Sequence, residues 1–245
     1  MAQGASWRRL GGPSQVMRSS YARALVNIGL IVGSERALVV DTGCGPRHAA
    51  EVLAAVRSVT PLPLVVANTH AHWDHFFGNA VFRHDGVSDF WAHAAARRHM
   101  AGTGESQRAA VSGVEPEMAA GEGPCTELVL PTRTVGADPV ELDLGGVSAI
   151  LFCLGPAHTD GDLMVGAPGV LFAGDVLEEG ADPQFEDADR GGWVRVLRTL
   201  AGMGGGYPVM VPGHGNPVTA EFAARMADTM EGAVEGGAFE SRANP

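Results

Sequence analysis

The segment "THAHWDHFFGN", residues 69–79, places several histidine and aspartate side chains in a short stretch. Three histidines and one aspartate lie within six residues, as His70, His72, Asp74 and His75. Two interpretations are open at this point. A solvated polar turn can carry such residues, whereas a metal site needs imidazole and carboxylate side chains close together. The remainder of the chain has to decide between the two.

The composition is that of a globular protein without an affinity for nucleic acid or membranes. The chain has 245 residues, of which 45% are hydrophobic, enough to bury a core. Its formal net charge of -11 disfavours nucleic acid and anionic membranes as partners. We find no signal peptide and no apolar run near the ~20 residues of a membrane helix, so a cytoplasmic location is expected. All basic residues are arginines, and the lack of lysine excludes Schiff-base chemistry.

Short apolar strands and helices follow one another along the chain, which predicts an α/β fold. Residues 25–33 and 36–43 are expected to pair as a hairpin. A helix at 46–59, a buried strand at 64–68 and a second helix at 90–100 follow. The later predicted elements are strands within "VELDLGG", "VSAILFCLG", "DLMVGAP", "GVLFAGD" and "YPVMVPG", a helix around residues 193–200 and a last helix over 217–235.

The pattern of strands and helices predicts one domain over residues 21–235, because no linker-like stretch interrupts it. Residues 1–20 are expected to form a poorly ordered N-terminal extension. Residues 236–245 are expected to form a C-terminal tail.

Two segments are candidates for the walls of a substrate site. Residues 102–126 are rich in glycine and lack apolar periodicity, so we expect a loop, with 104–122 as a lid over the site. The other candidate is the loop after Asp175, which carries Phe185, Glu186 and Asp187.

Further metal-type side chains follow other apolar strands. His158 follows "AILFCLG", Asp175 follows "GVLFAG" and His214 follows "VMVPG", just as the opening segment follows "LVVAN". The carboxyl ends of strands meet at one edge of a sheet, so these side chains are expected to converge. His70 and His72 alternate, and their side chains therefore point to the same side of an extended backbone. This combination favours a metal site over a polar turn. No chemistry is assigned to His48, His84, His93 and His99.

These motifs resemble the metallo-β-lactamase superfamily in "THAHWDH", the histidine of "GPAHTDGD", the aspartate of "LFAGD" and the histidine of "VPGHG". The resemblance extends over nearly the whole chain, starting at "NIGLIVGSERALVVDTG". It implies a four-layer αββα sandwich, in which two mixed β-sheets pack face to face with helices outside and a metal cleft lies at one edge. It also implies a dinuclear site, with one ion on His70, His72 and His158, a second on Asp74, His75 and His214, and Asp175 bridging the two.

The chemistry of these side chains agrees with the resemblance. Seven ligands exceed one tetrahedral site and suit two ions that share a carboxylate and a water. Zinc is the expected metal, with iron or manganese as alternatives. A metal-bound hydroxide would then attack an ester, thioester, lactone or amide-type bond of a small molecule. Asp74 is expected to act catalytically by orienting or deprotonating that water.

Three other functions stay open. The resemblance is to the bridging-aspartate members of the superfamily, because true β-lactamases lack an aspartate at the position of Asp175. One of their subclasses also needs a lysine, so at most weak β-lactamase activity is expected. Persulfide dioxygenases share the fold and hold one iron at the positions of His70, His158 and Asp175. A non-catalytic metal-binding module is disfavoured because every expected ligand is present.

Overall fold

The first of two β-sheets holds the strands from the N-terminal part of the chain. The computed structural model of this protein describes residues 6–19, 21 and 25–235. In these residues the first sheet has seven strands in chain order, antiparallel from β1 to β4 and parallel from β4 to β7. The strands are β1 (Arg8–Gly11), β2 (Ser14–Arg18), β3 (Asn27–Val32), β4 (Ala37–Val40), β5 (Leu64–Ala67), β6 (Phe90–His93) and β7 (Arg133–Val135).

The second sheet has five strands in the order β12-β11-β10-β9-β8. The pair β11 and β12 is parallel, and the other neighbours are antiparallel. The strands are β8 (Val140–Asp143), β9 (Ser148–Phe152), β10 (Met164–Ala167), β11 (Val170–Glu178) and β12 (Val209–His214). Both sheets are therefore mixed.

Seven α-helices and one 3₁₀ helix lie between or after the strands in the described ranges. They are α1 (Pro46–Val59), α2 (Trp73–Phe76), α3 (Asn79–His84), α4 (Ala94–Thr103), the 3₁₀ helix (Glu105–Val111), α5 (Pro116–Ala120), α6 (Arg190–Gly202) and α7 (Ala220–Glu235). Pro46 fits the first turn of α1, where a missing N–H costs no hydrogen bond. Within the described residues, no helix combines the length and apolar character needed to cross a membrane.

The fold is a four-layer αββα sandwich. Its apolar core fills the three interfaces between these layers, one between the two sheets and one between each sheet and its helices. Along β4 the side chains alternate, so that Leu38 and Val40 pack between the sheets whereas Ala37 and Val39 face α1. Helices α1 and α3 cover the outer face of the first sheet. Helices α6 and α7 cover the second sheet, with Trp193 fully buried beneath them. This confirms the architecture that the sequence predicted.

The expected helix at 90–100 is wrong in its first four residues. Residues 90–93 form β6, which pairs through Phe90 with Val66 of β5, and α4 begins only at Ala94. Phe90 and Ala92 are both buried. The alanine-rich sequence favours a helix, but pairing between two neighbouring strands outweighs that local preference.

The expectation of a poorly ordered N-terminal extension is wrong for residues 8–18. Strands β1 and β2 form a hairpin, and β2 joins the sheet by pairing Val16 with Gly29. Val16 packs into the core between the sheets and Met17 into the core beneath α1, so β2 is buried on both faces. Residues 1–5 and the expected tail at 236–245 lie outside the described residues.

Candidate metal centre

The seven predicted ligands lie close together in one cleft, at the ends of four strands. The stretch after β5 supplies four of them, the turn after β9 supplies one, and β11 and β12 supply one each. They form two groups, and within each group the potential ligand atoms lie within 4.8 Å of one another. The first group is His70, His72, His158 and Asp175, and the second is Asp74, His75 and His214.

Asp175 lies between the two groups. Its Oδ2 is 3.7 Å from Nε2 of His70 and 3.8 Å from Nε2 of His158, both in the first group. The same oxygen is 3.6 Å from Nε2 of His214, and Oδ1 is 3.4 Å from Nε2 of His75, both in the second group. One carboxylate thus reaches the imidazoles of both groups.

The opening segment is not one loop, since helix α2 begins inside it at Trp73. His70 and His72 precede the helix and contact each other, with Nε2 of His70 3.0 Å from Nδ1 of His72. Nε2 of His158 is also 3.0 Å from that Nδ1. The helical turn carries Asp74 and His75 into the second group. The change from extended to helical backbone therefore divides one motif between two groups.

Asp41 orients His75, and the sequence analysis missed it. Its carboxylate accepts hydrogen bonds from the backbone N–H and the hydroxyl of Thr69, each at 2.8 Å. Nδ1 of His75 lies 2.8 Å from Oδ2 of Asp41, so the carboxylate holds the ring through Nδ1 and directs Nε2 towards the second group. The signal was present, because Asp41 directly follows the apolar strand β4 in the same way that the predicted ligands follow theirs.

The loops that carry His158 and His214 are also held in place. Asp162 accepts hydrogen bonds from the backbone N–H and hydroxyl of Thr159, at 3.0 and 2.6 Å, next to His158. Nδ2 of Asn27 on β3 donates to the carbonyl oxygens of Pro212 and Gly215, at 2.9 and 3.0 Å. This amide ties the His214 turn of the second sheet to the first sheet.

Gly213 leaves the space that Asp175 occupies. A Cβ atom at this position would lie 1.7 Å from Oδ1 of Asp175 and 3.1 Å from Cε1 of His75. The carboxylate of Asp175 can therefore approach the backbone of β12 only because residue 213 has no side chain.

The donor set fits divalent metal ions. In the described part of the chain, His75 Nε2 and Asp175 Oδ1 are buried without a hydrogen-bond partner. Buried polar atoms are normally paired, so these atoms are available to a ligand. Burial opposes ionisation of Asp74, but the imidazoles of His75 and His214 hold its pKa below the usual value. Burial also opposes a charge on His214, yet Asp175 and Asp74 raise its pKa to about 10. The two carboxylates therefore stabilise positive charge at this site.

A cleft of about 430 Å³ opens on both groups. The loop after β11 forms part of the cleft wall, as expected from the sequence. Phe185 of this loop packs against Trp193 instead of lining the cleft. Glu178 also lines the cleft, and burial and the neighbouring Asp175 raise its pKa to about 8. The residues lining the cleft are His72, Trp73, Asp74, His158, Asp175, Glu178, Ala181, Gln184, Glu186, Asp187 and His214.

The expected lid is wrong, because no residue of 104–122 lines the cleft. The segment forms the 3₁₀ helix and α5 and buries Val111 and Met118 in a separate apolar cluster. Gln107 instead supports the metal motif from behind. It accepts from the backbone N–H of Trp73 at 2.8 Å and donates to the carbonyl of Ala71 at 3.0 Å.

The other four histidines lie outside both groups, as expected. His48 is buried beside Cys44, with its Nδ1 3.3 Å from the sulfur. His84 is exposed and lies 3.0 Å from a carboxylate oxygen of Glu127.

Comparison with known proteins gives one family. The model of the metallo-β-lactamase superfamily matches residues 22–214. The chain is 32% identical over 165 residues to acyl-coenzyme A thioesterase MBLAC2 from Gallus gallus, which covers 63% of this chain and 58% of that protein. The chain thus spans less than two thirds of the length of this relative.

Solved structures share the fold at low sequence identity. A metallo-β-lactamase from Pontibacter korlensis superposes with a TM-score of 0.72 at 18% identity, covering 93% of this chain and 99% of the other. The metallo-β-lactamase FIM-1 from Pseudomonas aeruginosa, in its mono-zinc form, gives a TM-score of 0.70 at 19% identity, covering 94% and 96%.

Proposed function

The chain belongs to the metallo-β-lactamase superfamily, and from this premise we propose that it is a dinuclear hydrolase of a thioester or related ester bond in a small molecule. Asp175 carries the proposal, because its carboxylate lies 3.4–3.8 Å from histidines of both ligand groups. A carboxylate shared by two ligand sets suits a pair of metal ions. The similarity to an acyl-coenzyme A thioesterase supports an acyl substrate.

We assign one metal ion to each of the two groups, with Asp175 as the ligand that the two ions share. Zinc is the first metal to test. Bound ions would supply Lewis acidity towards the substrate carbonyl and lower the pKa of water in the cleft. One ion would lie on His70, His72 and His158, and the other on Asp74, His75 and His214.

The chain's own residues would position the water and move its proton. Oδ2 of Asp74 lies 3.2 Å from Nε2 of His214, and its side chain faces the cleft. Asp74 can therefore orient an attacking water and accept its proton. In a thioester, the water oxygen bonds to the acyl carbon, the carbon–sulfur bond breaks, and the leaving sulfur takes up the proton. The products are a thiol and a carboxylic acid, which releases its remaining proton to water and becomes a carboxylate.

The test combines elemental analysis with an assay for thiol release. Protein purified without chelator and reconstituted with zinc is expected to hold two ions and to hydrolyse simple thioesters. Asp74→Asn should lower kcat by roughly 10²–10⁴-fold, the usual contribution of general acid–base catalysis, and Asp138→Asn on an exposed turn should not. Oxygen consumption with a persulfide substrate and one tightly held iron would identify a dioxygenase instead.

A further inference from the structure

Glu178, at the carboxyl end of β11, is a buried carboxyl group without a partner. The residue is only 8% exposed and lines the cleft. Among the residues that the structure describes, none forms a hydrogen bond or ion pair with its carboxylate, and it belongs to neither ligand group. Its carboxyl group faces the cleft, where a ligand can reach it.

The three other buried carboxylates of the described residues that lie outside the ligand groups, in contrast to Glu178, have hydrogen-bond donors. Glu115 accepts hydrogen bonds from the backbone N–H groups of Arg47 and His48, at 3.2 and 2.7 Å. Asp41 and Asp162 are likewise satisfied by N–H and hydroxyl donors. Glu178 differs from these three in facing the open cleft.

Two further acidic side chains lie near Glu178 on the cleft wall. Glu186 and Asp187 lie on the same wall, and Nε2 of His72 is 3.1 Å from Asp187 Oδ2. The lining residues include no arginine, and the sequence has no lysine. Apart from the proposed metal ligands, the lining therefore has no basic side chain for a substrate carboxylate or phosphate, and Glu178, Glu186 and Asp187 would repel such a group. Trp73 lines the same cleft, and indole rings attract organic cations.

We infer that Glu178 binds a cationic group of the substrate, so that the enzyme prefers acyl substrates with an ammonium group near the scissile bond. The inference rests on the proposed hydrolase function and adds its substrate class. An ammonium N–H would donate to the carboxylate in a charge-assisted hydrogen bond.

The test uses three thioacetates of similar size that differ in charge. They are 2-(dimethylamino)ethyl thioacetate, its neutral isostere 3-methylbutyl thioacetate, and the anion S-acetyl-3-mercaptopropanoate. We expect kcat/KM for the cation to exceed that for the neutral isostere about tenfold, as a charge-assisted contact implies, with the anion lowest. Acetyl-coenzyme A, which carries several phosphates, should rank with the anion.

Glu178→Gln keeps the shape and removes the charge. It should raise KM for the cation about tenfold more than KM for the neutral isostere, the loss of one charge-assisted contact, with the metal content retained. The matched control is Glu141→Gln on the exposed edge strand β8. A positioning role is indicated if the change falls mainly on KM for the cation.

Binding decides the question independently of turnover. Calorimetry on metal-loaded wild-type protein compares N-[2-(dimethylamino)ethyl]acetamide with the neutral N-(3-methylbutyl)acetamide. Tighter binding of the cation supports the inference even if Glu178→Gln does not fold. Equal or weaker binding of the cation overturns it. If the protein hydrolyses the three thioesters without a preference for charge, only the role of Glu178 is refuted. If it binds no metal and hydrolyses none of them, the proposed function is refuted.

Discussion

Nδ1 of His75 lies 2.8 Å from Oδ2 of Asp41, a residue that belongs to neither ligand group. Both residues are buried, with exposed fractions of 0% and 1%. This contact sets the orientation of one proposed ligand. It also joins the first turn after β4 to the helical turn of the metal motif.

Asp41→Asn should therefore weaken the ion proposed for the group that contains His75. Loss of such a supporting contact typically lowers metal affinity by about 10–100-fold, because the imidazole loses its fixed orientation. Competition with a chromophoric chelator measures the two affinities separately. The affinity of the first group should change less, and Asp138→Asn serves as the control. Unchanged affinity at both groups would show that Asp41 supports only the fold.

Asp175→Ala should weaken both ions, because its carboxylate reaches imidazoles of both groups. His214→Ala removes a ligand from the second group only and should leave one ion bound. Elemental analysis after gel filtration compares the two variants. The bridge is refuted if Asp175→Ala retains two ions as tightly as the unmodified protein.

Gly213→Ala should lower metal content and activity without unfolding the protein. The added Cβ would lie 1.7 Å from Oδ1 of Asp175, so the carboxylate has to move from its position between the groups. Gly202→Ala is the matched control, since a Cβ there meets nothing within 4 Å. Metal analysis and circular dichroism together check the prediction. Normal metal content in Gly213→Ala would mean that Asp175 can shift without loss of its role.

Glu115→Ala should destabilise the fold while leaving the metal ligands intact. The carboxylate accepts from two N–H groups at the start of α1, and those N–H groups have no partner within the helix. Losing these bonds in a buried place should cost about 1–3 kcal/mol of unfolding free energy. Urea denaturation of the zinc-loaded protein measures it, with exposed Glu122→Ala as control. Equal midpoints for both variants would contradict the capping role.

The ligand groups could be anticipated from sequence because apolar strands are easy to recognise and their ends lie at one edge of a sheet. His158 and His214 are single residues in ordinary turns, yet their positions after buried strands predicted where they converge. Asp41 follows the same rule, but "DTG" also has the composition of a turn. Its role depends on the 2.8 Å contact with His75, which residues 34 positions apart make only in the folded chain.

Other features escaped because tertiary contacts outweighed local composition. Residues 90–93 are a strand only because β5 and β7 flank them. Glu178 belongs to "VLEEG", which has the character of a loop, whereas β11 continues through it and buries its side chain. Residues 104–122 lack periodicity because short helices, and not one long element, bury Val111 and Met118.

Each ligand group draws side chains from both sheets, and this has a consequence for the order in which the protein is made. During synthesis His75 leaves the ribosome 139 residues before His214, its partner in the second group. His70 and His72 likewise wait for His158 and Asp175. If the groups bind metal as proposed, a nascent or truncated chain offers only partial coordination and should hold ions weakly. Metal-dependent hydrolysis is then expected only from chains whose two halves have already docked.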